Sequence, residues 1–447
     1  MSRAVTAAIV LALVASASLL VPVAATGTAS GAGPTKITSC KTTISQPGRY
    51  VLAGNITERP SFNRSEARAC IRITASDVVL DGGGHTINGG HAYDGIRVGS
   101  EAGRVSNVTI RNVKLGGFSS VSRGWAAVKL DDVDGATVEN VDVRVSDLGF
   151  RVRNSSDVAI RDVSQVGDTE TSNTGRDQAV RFENTTDSLV VDGEFTGAGV
   201  LLERGSDGNA VRNSSFVGCP DGVACSAGPK VGVLLAGSSN NTVVDNAIRN
   251  SAPAVDMSGA AVGNVIADNT LAESEDGVHV SVYDAENGTN VIRDNDMAGD
   301  GDGVDVKVTT APLDVRANII RGPTESGYWN GSGRGVHVGD TPLCADGGEG
   351  AQLISVHGNV VTNESAGGVV NEDADVLNAT NNYWGAESGP SSANDTDAPF
   401  EDPVTGTLAD GNGTTVSEAP HRAGTSNVHF DGWLTAAPAD AGTNGTA

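Results

Sequence analysis

Lysine is scarce. The 447-residue chain carries 30 Lys and Arg against 55 Asp and Glu, and only Lys36, Lys41, Lys114, Lys129, Lys230 and Lys307 are lysine. The net charge of −25 excludes the broad basic surface that phosphate neutralisation needs, and with it nucleic-acid binding. Bulky apolar mass is scarce too. Hydrophobic residues make up 38% and aromatics 4%, whereas glycine numbers 58, which favours a narrow core built by repetition over a wide globular one. An acidic, lysine-poor surface is expected of a protein working in concentrated salt, where ions screen self-repulsion; an ordinary acidic secreted protein is the alternative. The G-x-S-x-G elbow, the H-E-x-x-H helix and the P-loop are all missing, which removes three common routes to hydrolysis.

The N-terminus reads as an address. Arg3 precedes an apolar or small stretch from Ala4 to Val23, followed by Ala24 and Ala25, the pattern of a signal peptide cleaved near residue 25. A retained anchor is the alternative, because the stretch approaches membrane-spanning length. No later segment is long and apolar enough to span a bilayer, so the mature chain is expected outside the cell or at its surface. Fourteen N-x-[ST] sequons agree with export and with a glycoprotein, although Asn, Ser and Thr are also turn formers. Five cysteines in an exported chain predict two bridges, Cys40 with Cys70 and Cys219 with Cys225, leaving Cys344 over.

A repeat fills most of the remainder. One short segment follows a small residue and reads apolar-x-apolar, as in Ile96-Arg97-Val98, Val255-Asp256-Met257 and Val304-Asp305-Val306. A second carries Asn or Asp near its end, as in Val108-Thr109-Ile110-Arg111-Asn112-Val113. One copy of each recurs at intervals of roughly 20 to 33 residues, a solenoid period. Period-2 alternation with Gly/Asn/Asp/Ser turns and no helical periodicity predicts an all-β fold, a parallel β-helix (solenoid) of roughly a dozen coils. Asn112, Asn140, Asp162, Asp192, Asn213, Asn246, Asn269, Asn295, Asn318, Asn359 and Asn382 are expected to form one structural ladder at equivalent turns. Residues 26–70 are read as linker and N-terminal cap, 71–390 as the β-helix, and 391–447 as an acidic, loop-rich C-terminal tail that Phe430 and Trp433 dock onto the last coils.

Ser76-Asp77-Val78-Val79-Leu80-Asp81-Gly82-Gly83-Gly84-His85-Thr86-Ile87 resembles the opening coil of right-handed parallel β-helix repeat proteins. This group includes NosD-type periplasmic proteins and the carbohydrate-binding and sugar-hydrolase proteins. Asn381-Asn382-Tyr383-Trp384-Gly385 with Ser388-Gly389-Pro390 is similar to the motif that closes such domains. The cysteine-flanked start and acidic tail are similar to those of haloarchaeal members. The resemblance implies the fold and leaves function open among lyases, hydrolases, epimerases, adhesins and copper-accessory proteins. The Gly-His-Gly and Arg-Ile-Lys elements of polygalacturonase-like members are absent, so no catalytic residues carry over from them.

If the first strands stack in register, their outward residues form one column: Arg97, Lys129, Arg151, Arg181, Leu201, Leu234, Asp256, His279, Asp305, His337 and Val370. The four cations are candidates for binding a polyanion such as a uronate chain, unless carboxylates such as Asp131 and Glu183 engage them first. Asp256, His279, Asp305 and His337 are the catalytic candidates. Asp256 and Asp305 two coils apart would lie about 9–10 Å from one another at the backbone, near the spacing that admits water in inverting glycoside hydrolysis. Lys307 is a candidate for a substrate carboxylate, and Tyr328 and Trp329, with Tyr283 from another coil, for stacking on a sugar ring.

His279, Asp305 and His337 also form a two-histidine, one-carboxylate set suited to Zn or Cu(II). The NosD resemblance points to copper. Against Cu(I), Met257 and Met297 are the only methionines beyond the leader, and Met257 is expected to face inward. Asp300, Asp302 and Asp305 among glycines outline a loose Ca²⁺ loop without the closing Glu of an EF-hand. Two functions remain: a monomeric, exported protein that binds and cleaves polysaccharide or cell-surface glycan, and a non-catalytic surface or adhesion rod.

Overall fold

A ribbon with valine at every second position must bury one side and hydrate the other, and stacking equivalent ribbons meets both demands. The computed structural model describes residues 33–442 apart from 58–67, 90–92, 119–124, 145–147, 168–177, 220–230, 286, 300, 323–332, 340–349 and 393–397. The expected signal peptide therefore lies outside the described residues. Pro34–Ala447 is one compact unit, a right-handed parallel β-helix. The first-type strands form a 15-stranded sheet, and the second-type segments gather in a sheet of 23 strands. Among the described strands only Glu418–Ala419 and Arg422–Ser426 pair antiparallel.

The register follows the valines. Val255 pairs with Val278, Val278 with Val304 and Val304 with Val336, and all four are 0–1% exposed. The small residue before each strand has a steric cause. A Cβ at Gly303 would come within 2.7 Å of the Gly335 carbonyl oxygen, and one at Gly277 within 2.6 Å of the Gly303 carbonyl oxygen. Successive backbones close to this distance only when the position carries little or nothing.

The single asparagine ladder expected from the sequence resolves into two adjacent files. Asn112, Asn140, Asp162, Asp192 and Asn213 have φ of 47–54° and occupy the bend itself, where Asn and Asp tolerate the left-handed region. Asn140 Nδ2 donates there to Asn112 Oδ1 at 2.7 Å. Asn246, Asn269, Asn295, Asn318, Asn359 and Asn382 lie one position further on, point inward and are 0–2% exposed. The Oδ1 of Asn295 accepts the Asn269 backbone N–H at 3.0 Å, and its Nδ2 donates to the Ile266 carbonyl at 2.9 Å. Earlier coils hold Val113, Val141 and Val163 at the inward position. There the strand runs through the bend, as in Val105–Gly116, whereas coils with inward Asn break into two three-residue strands such as Val265–Ala267 and Thr270–Ala272.

The two ends are secured differently. Thr35–Ile37, Thr42–Ile44 and Gly48–Leu52 form the leading coil, and Cys40 is bridged to Cys70 with a Cα–Cα distance of 4.4 Å. Cys219 is also disulfide-bonded; Cys225 and Cys344 lie outside the described residues. Beyond residue 390 the chain does not trail away as loop, because its apolar residues have a place in the stack. Val416 pairs with Val369 and Val428 with Leu377, while Phe400 and Phe430 are 0–1% exposed. Trp433 packs beside Gly389. Asp402 holds this closure: its carboxylate accepts the N–H groups of Val404, Thr405, Phe430 and Asp431 and lies 3.0 Å from His429 Nδ1. Burial alone would raise its pKa, but the His429 and backbone bonds outweigh it and hold the group at about 2.

Two outcomes are expected. Asn295→Leu strands the Asn269 N–H and the Ile266 carbonyl, at about 1–3 kcal/mol for each group, so its urea midpoint should fall well below that of Asn140→Gly, which keeps the bend. Asp402 is more acidic folded than unfolded, so its stabilisation is complete above about pH 4 and vanishes as pH falls through about 2. Trp433 fluorescence should report loosening of the closure over that range, and Asp402→Asn should be loose already at neutral pH.

Candidate functional site

Strand pairing places the outward residues in one file from Arg72 through Arg97, Lys129, Arg151, Arg181, Leu201, Leu234, Asp256, His279, Asp305 and His337 to Val370. Leu201 and Leu234 divide it into a basic and an Asp/His stretch. In the basic stretch the next outward position carries a carboxylate on alternate strands, Asp131 after Lys129 and Glu183 after Arg181, with Arg153 between them. Arg97 Nη2 lies 3.1 Å and Lys129 Nζ 3.7 Å from Asp131 Oδ2. Arg151 and Arg181 approach Glu183 Oε1 at 2.8 and 2.9 Å. These four cations, the polyanion candidates, are thus engaged by carboxylates of their own sheet. The expectation of a column open to an anionic chain gives way to a file of internal ion pairs.

The Asp/His stretch opens onto a groove of about 380 Å³ lined by Pro253, Asp256, Glu275, Asp276, His279, Asp302, Asp305, Lys307 and Arg334. Each histidine turns back toward the aspartate of the preceding coil. His279 Nδ1 lies 3.3 Å from Asp256 Oδ1, and His337 Nδ1 lies 2.7 Å from Asp305 Oδ1. The hydrogen bond to Asp256 raises the His279 pKa, against burial, with further help from the charges of Asp256, Asp305 and Asp276. For Asp305 burial acts upward, but bonds from His337 and from Lys307, whose Nζ is 3.0 Å away, hold the carboxyl below the usual range. Asp256 and Asp305 are therefore each committed to an imidazole, and Asp305 is a carboxylate, not an acid.

The structure adds a second row that the sequence reading passed over. Asp276, Asp302 and Arg334 stand three residues before His279, Asp305 and His337, and each Asp accepts the backbone N–H of the next member: Asp302 N–H to Asp276 at 3.3 Å and Arg334 N–H to Asp302 at 2.9 Å. Asp302, first read as part of a calcium loop, receives the Arg334 guanidinium at 3.2 Å. The available signal was the repeated Asp-Gly-Val of 276–278 and 302–304 and the Arg-Gly-Val of 334–336. Burial pushes the Asp276 carboxyl up to about 7, reinforced by Asp305 and Asp302 and opposed by its backbone bond and by His279. Glu364, facing Asp302, is pushed to about 9, mainly by burial. Tyr328, Trp329 and Asp300 lie outside the described residues, and Tyr283, at the far end of the His279 strand, does not line the groove.

Register also changes the metal set. Asp302, Asp305 and His337 bring one donor atom each within 4.8 Å of one another, whereas His279, the other histidine of the expected set, turns away to Asp256. These donors do not suit a cation as they stand. Both Asp302 oxygens face Arg334, and the Asp305 oxygens face His337 and Lys307. Soft donors are no better placed. Met257 and Met297 are 0% and 2% exposed in the core, and Cys40, Cys70 and Cys219 are in disulfides.

A family model described as periplasmic copper-binding protein (NosD) matches residues 104–332. No curated protein matches the chain. Among solved structures, an alginate lyase from Paenibacillus sp. str. FPU-7 is 17% identical over 56% of this chain and 88% of its own, with a TM-score of 0.43. The periplasmic alginate epimerase AlgG is 13% identical over 73% of this chain and 75% of its own, with a TM-score of 0.43. The tailspike protein of E. coli bacteriophage HK620, in complex with a pentasaccharide, is 10% identical over 73% and 72%, with a TM-score of 0.42. At such identity the likeness is one of fold. Copper, the metal of the family description, does not fit the donors present among the described residues.

The groove carboxyls should titrate apart. An isotope-edited carboxyl NMR titration is expected to show Asp276 changing state with a midpoint of about pH 7, while Asp305 stays ionised down to below the ordinary aspartate range. The folded state holds the Asp276 proton more tightly than the unfolded chain does, so this group's contribution to stability declines as pH rises through about 7.

Proposed function

We propose, for a chain that belongs to the NosD family, that the groove over the Asp256–His337 strands binds polysaccharide at the cell surface or outside it and cleaves it. The observation that carries this reading is the placement of Asp256, His279 and Asp305 on three consecutive coils of one open groove, Asp256 paired with His279 at 3.3 Å and Asp305 held from beneath by the buried His337 at 2.7 Å. The groove runs across the coils, so an extended chain can contact several of them in the same way. Asp305 is the base of the reaction. His337 and Lys307 keep it ionised, and His337 fixes the orientation in which it takes a proton from water or substrate. The Asp256–His279 pair supplies hydrogen bonds to sugar hydroxyls from the neighbouring coil.

Copper delivery, the reading suggested by the family description, lacks support in the donors described above. A non-catalytic surface rod remains distinct from the proposal by a direct experiment. The full chain is screened in high salt against neutral and acidic polysaccharides for binding and for new reducing ends. Binding is expected, with cleavage that falls at least about 100-fold in Asp305→Ala and also declines in Asp256→Ala. Unchanged turnover in both variants, or no glycan binding by the parent chain, would overturn the reading.

A further inference from the structure

Resting on that reading, we infer that the groove takes an uncharged polysaccharide and hydrolyses it with Asp276 as proton donor, in place of eliminating across an acidic sugar. The first ground is the charge arrangement. Five carboxyl groups line the groove against Lys307, Arg334 and the imidazole of His279. Both cations already face carboxylates: Lys307 Nζ lies 3.0 Å from Asp305, while Arg334 lies 3.2 Å from Asp302 and 3.3 Å from Glu372. A uronate would have to compete with these partners while approaching the remaining carboxylates. β-Elimination needs that uronate charge neutralised before the proton beside it can leave. An uncharged sugar meets no such conflict, since its hydroxyls donate to carboxylates and accept from imidazole.

The second ground is the geometry of the two rows. Asp276 is in the row set back from His279, beside the coil that carries Asp305, and both line the same groove. It is faced by His279 on its own strand and by Asp302 and Asp305 on the next. One of its oxygens accepts the Asp302 N–H, which fixes the carboxyl in place. Burial and crowding let it keep its proton up to about pH 7 beside a carboxyl that stays ionised, the arrangement in which two carboxyls divide acid and base roles. The step balances. The Asp276 O–H proton passes to the glycosidic oxygen as its bond to the anomeric carbon breaks. Water oxygen bonds to that carbon and loses a proton to Asp305. Asp305 then gives its proton up to solvent and solvent returns one to Asp276, so both carboxyls are restored and water alone is consumed.

The test uses the full chain with three probes: neutral glucans and xylans, alginate and polygalacturonate, and chitosan. Binding is read by calorimetry, and products are read as reducing ends and as unsaturated uronate. Neutral polymers are expected to bind and to yield reducing ends without unsaturation. Asp276→Asn should lower turnover at least about 100-fold while holding affinity within about twofold. That loss should shrink to below about tenfold on an aryl glycoside, whose leaving group needs no proton, a response a merely structural residue would not give. Unsaturated uronate products, or tighter binding of alginate or chitosan, overturn the inference and leave the proposed glycan groove standing. An equal loss on aryl and natural glycosides overturns the role of Asp276. Failure to bind any of the three classes removes the proposed function itself.

Discussion

Parallel pairing at matched positions is the constraint from which the rest of this protein follows. Val255, Val278, Val304 and Val336 are neighbours because each strand repeats the same alternation and each coil closes over the last. A slip by one residue would turn every valine outward and every aspartate and histidine into the core. Gly277, Gly303 and Gly335 tighten the same alignment from the side, since a Cβ at any of them would come within 2.4–2.7 Å of a carbonyl oxygen on the next coil. Distant residues are thereby set about 5 Å apart with little freedom to move, which is what a site assembled from several coils requires.

The same alignment explains why two halves of one face differ in character. In the basic stretch the next outward position of every other strand is a carboxylate that also serves its neighbours, so charges cancel along the surface at Asp131 and Glu183. In the acidic stretch the companion row opens the strands and is partly sheltered, so Asp276 and Asp302 are held near one another and near Asp305. Cancellation yields a stabilised wall. Crowding yields carboxyls with unequal proton affinity.

Fold and column order were legible because both depend on period alone, and the period is written in Val-x-Val segments. The two asparagine files were read as one because a residue at a bend and its inward neighbour have the same composition, and only backbone φ separates Asn213 from Asn246. Asp276 and Arg334 escaped notice for a related reason. Each sits beside a glycine that looks like turn punctuation, and each is tied in by a bond between an aspartate carboxylate and a backbone N–H of the following coil, Asp276 as acceptor and Arg334 as donor, which no pattern of side chains reveals. The closing segment after residue 390 was hidden by its polar composition, since a handful of residues such as Phe400, Val416 and Phe430 suffices to seat it.

The direction of the aspartate–histidine pairs sets a rule for how this solenoid can have grown. Each imidazole reaches back to the coil before it, so the unit of the acidic stretch is two turns and not one. Duplication or loss of a single turn there would seat like beside like and leave one ring without its acid. In the arginine stretch the same event would only lengthen an ionic ladder. Loss of one turn from the groove therefore breaks an aspartate–histidine pair, whereas loss of one from the arginine stretch only shortens the ladder.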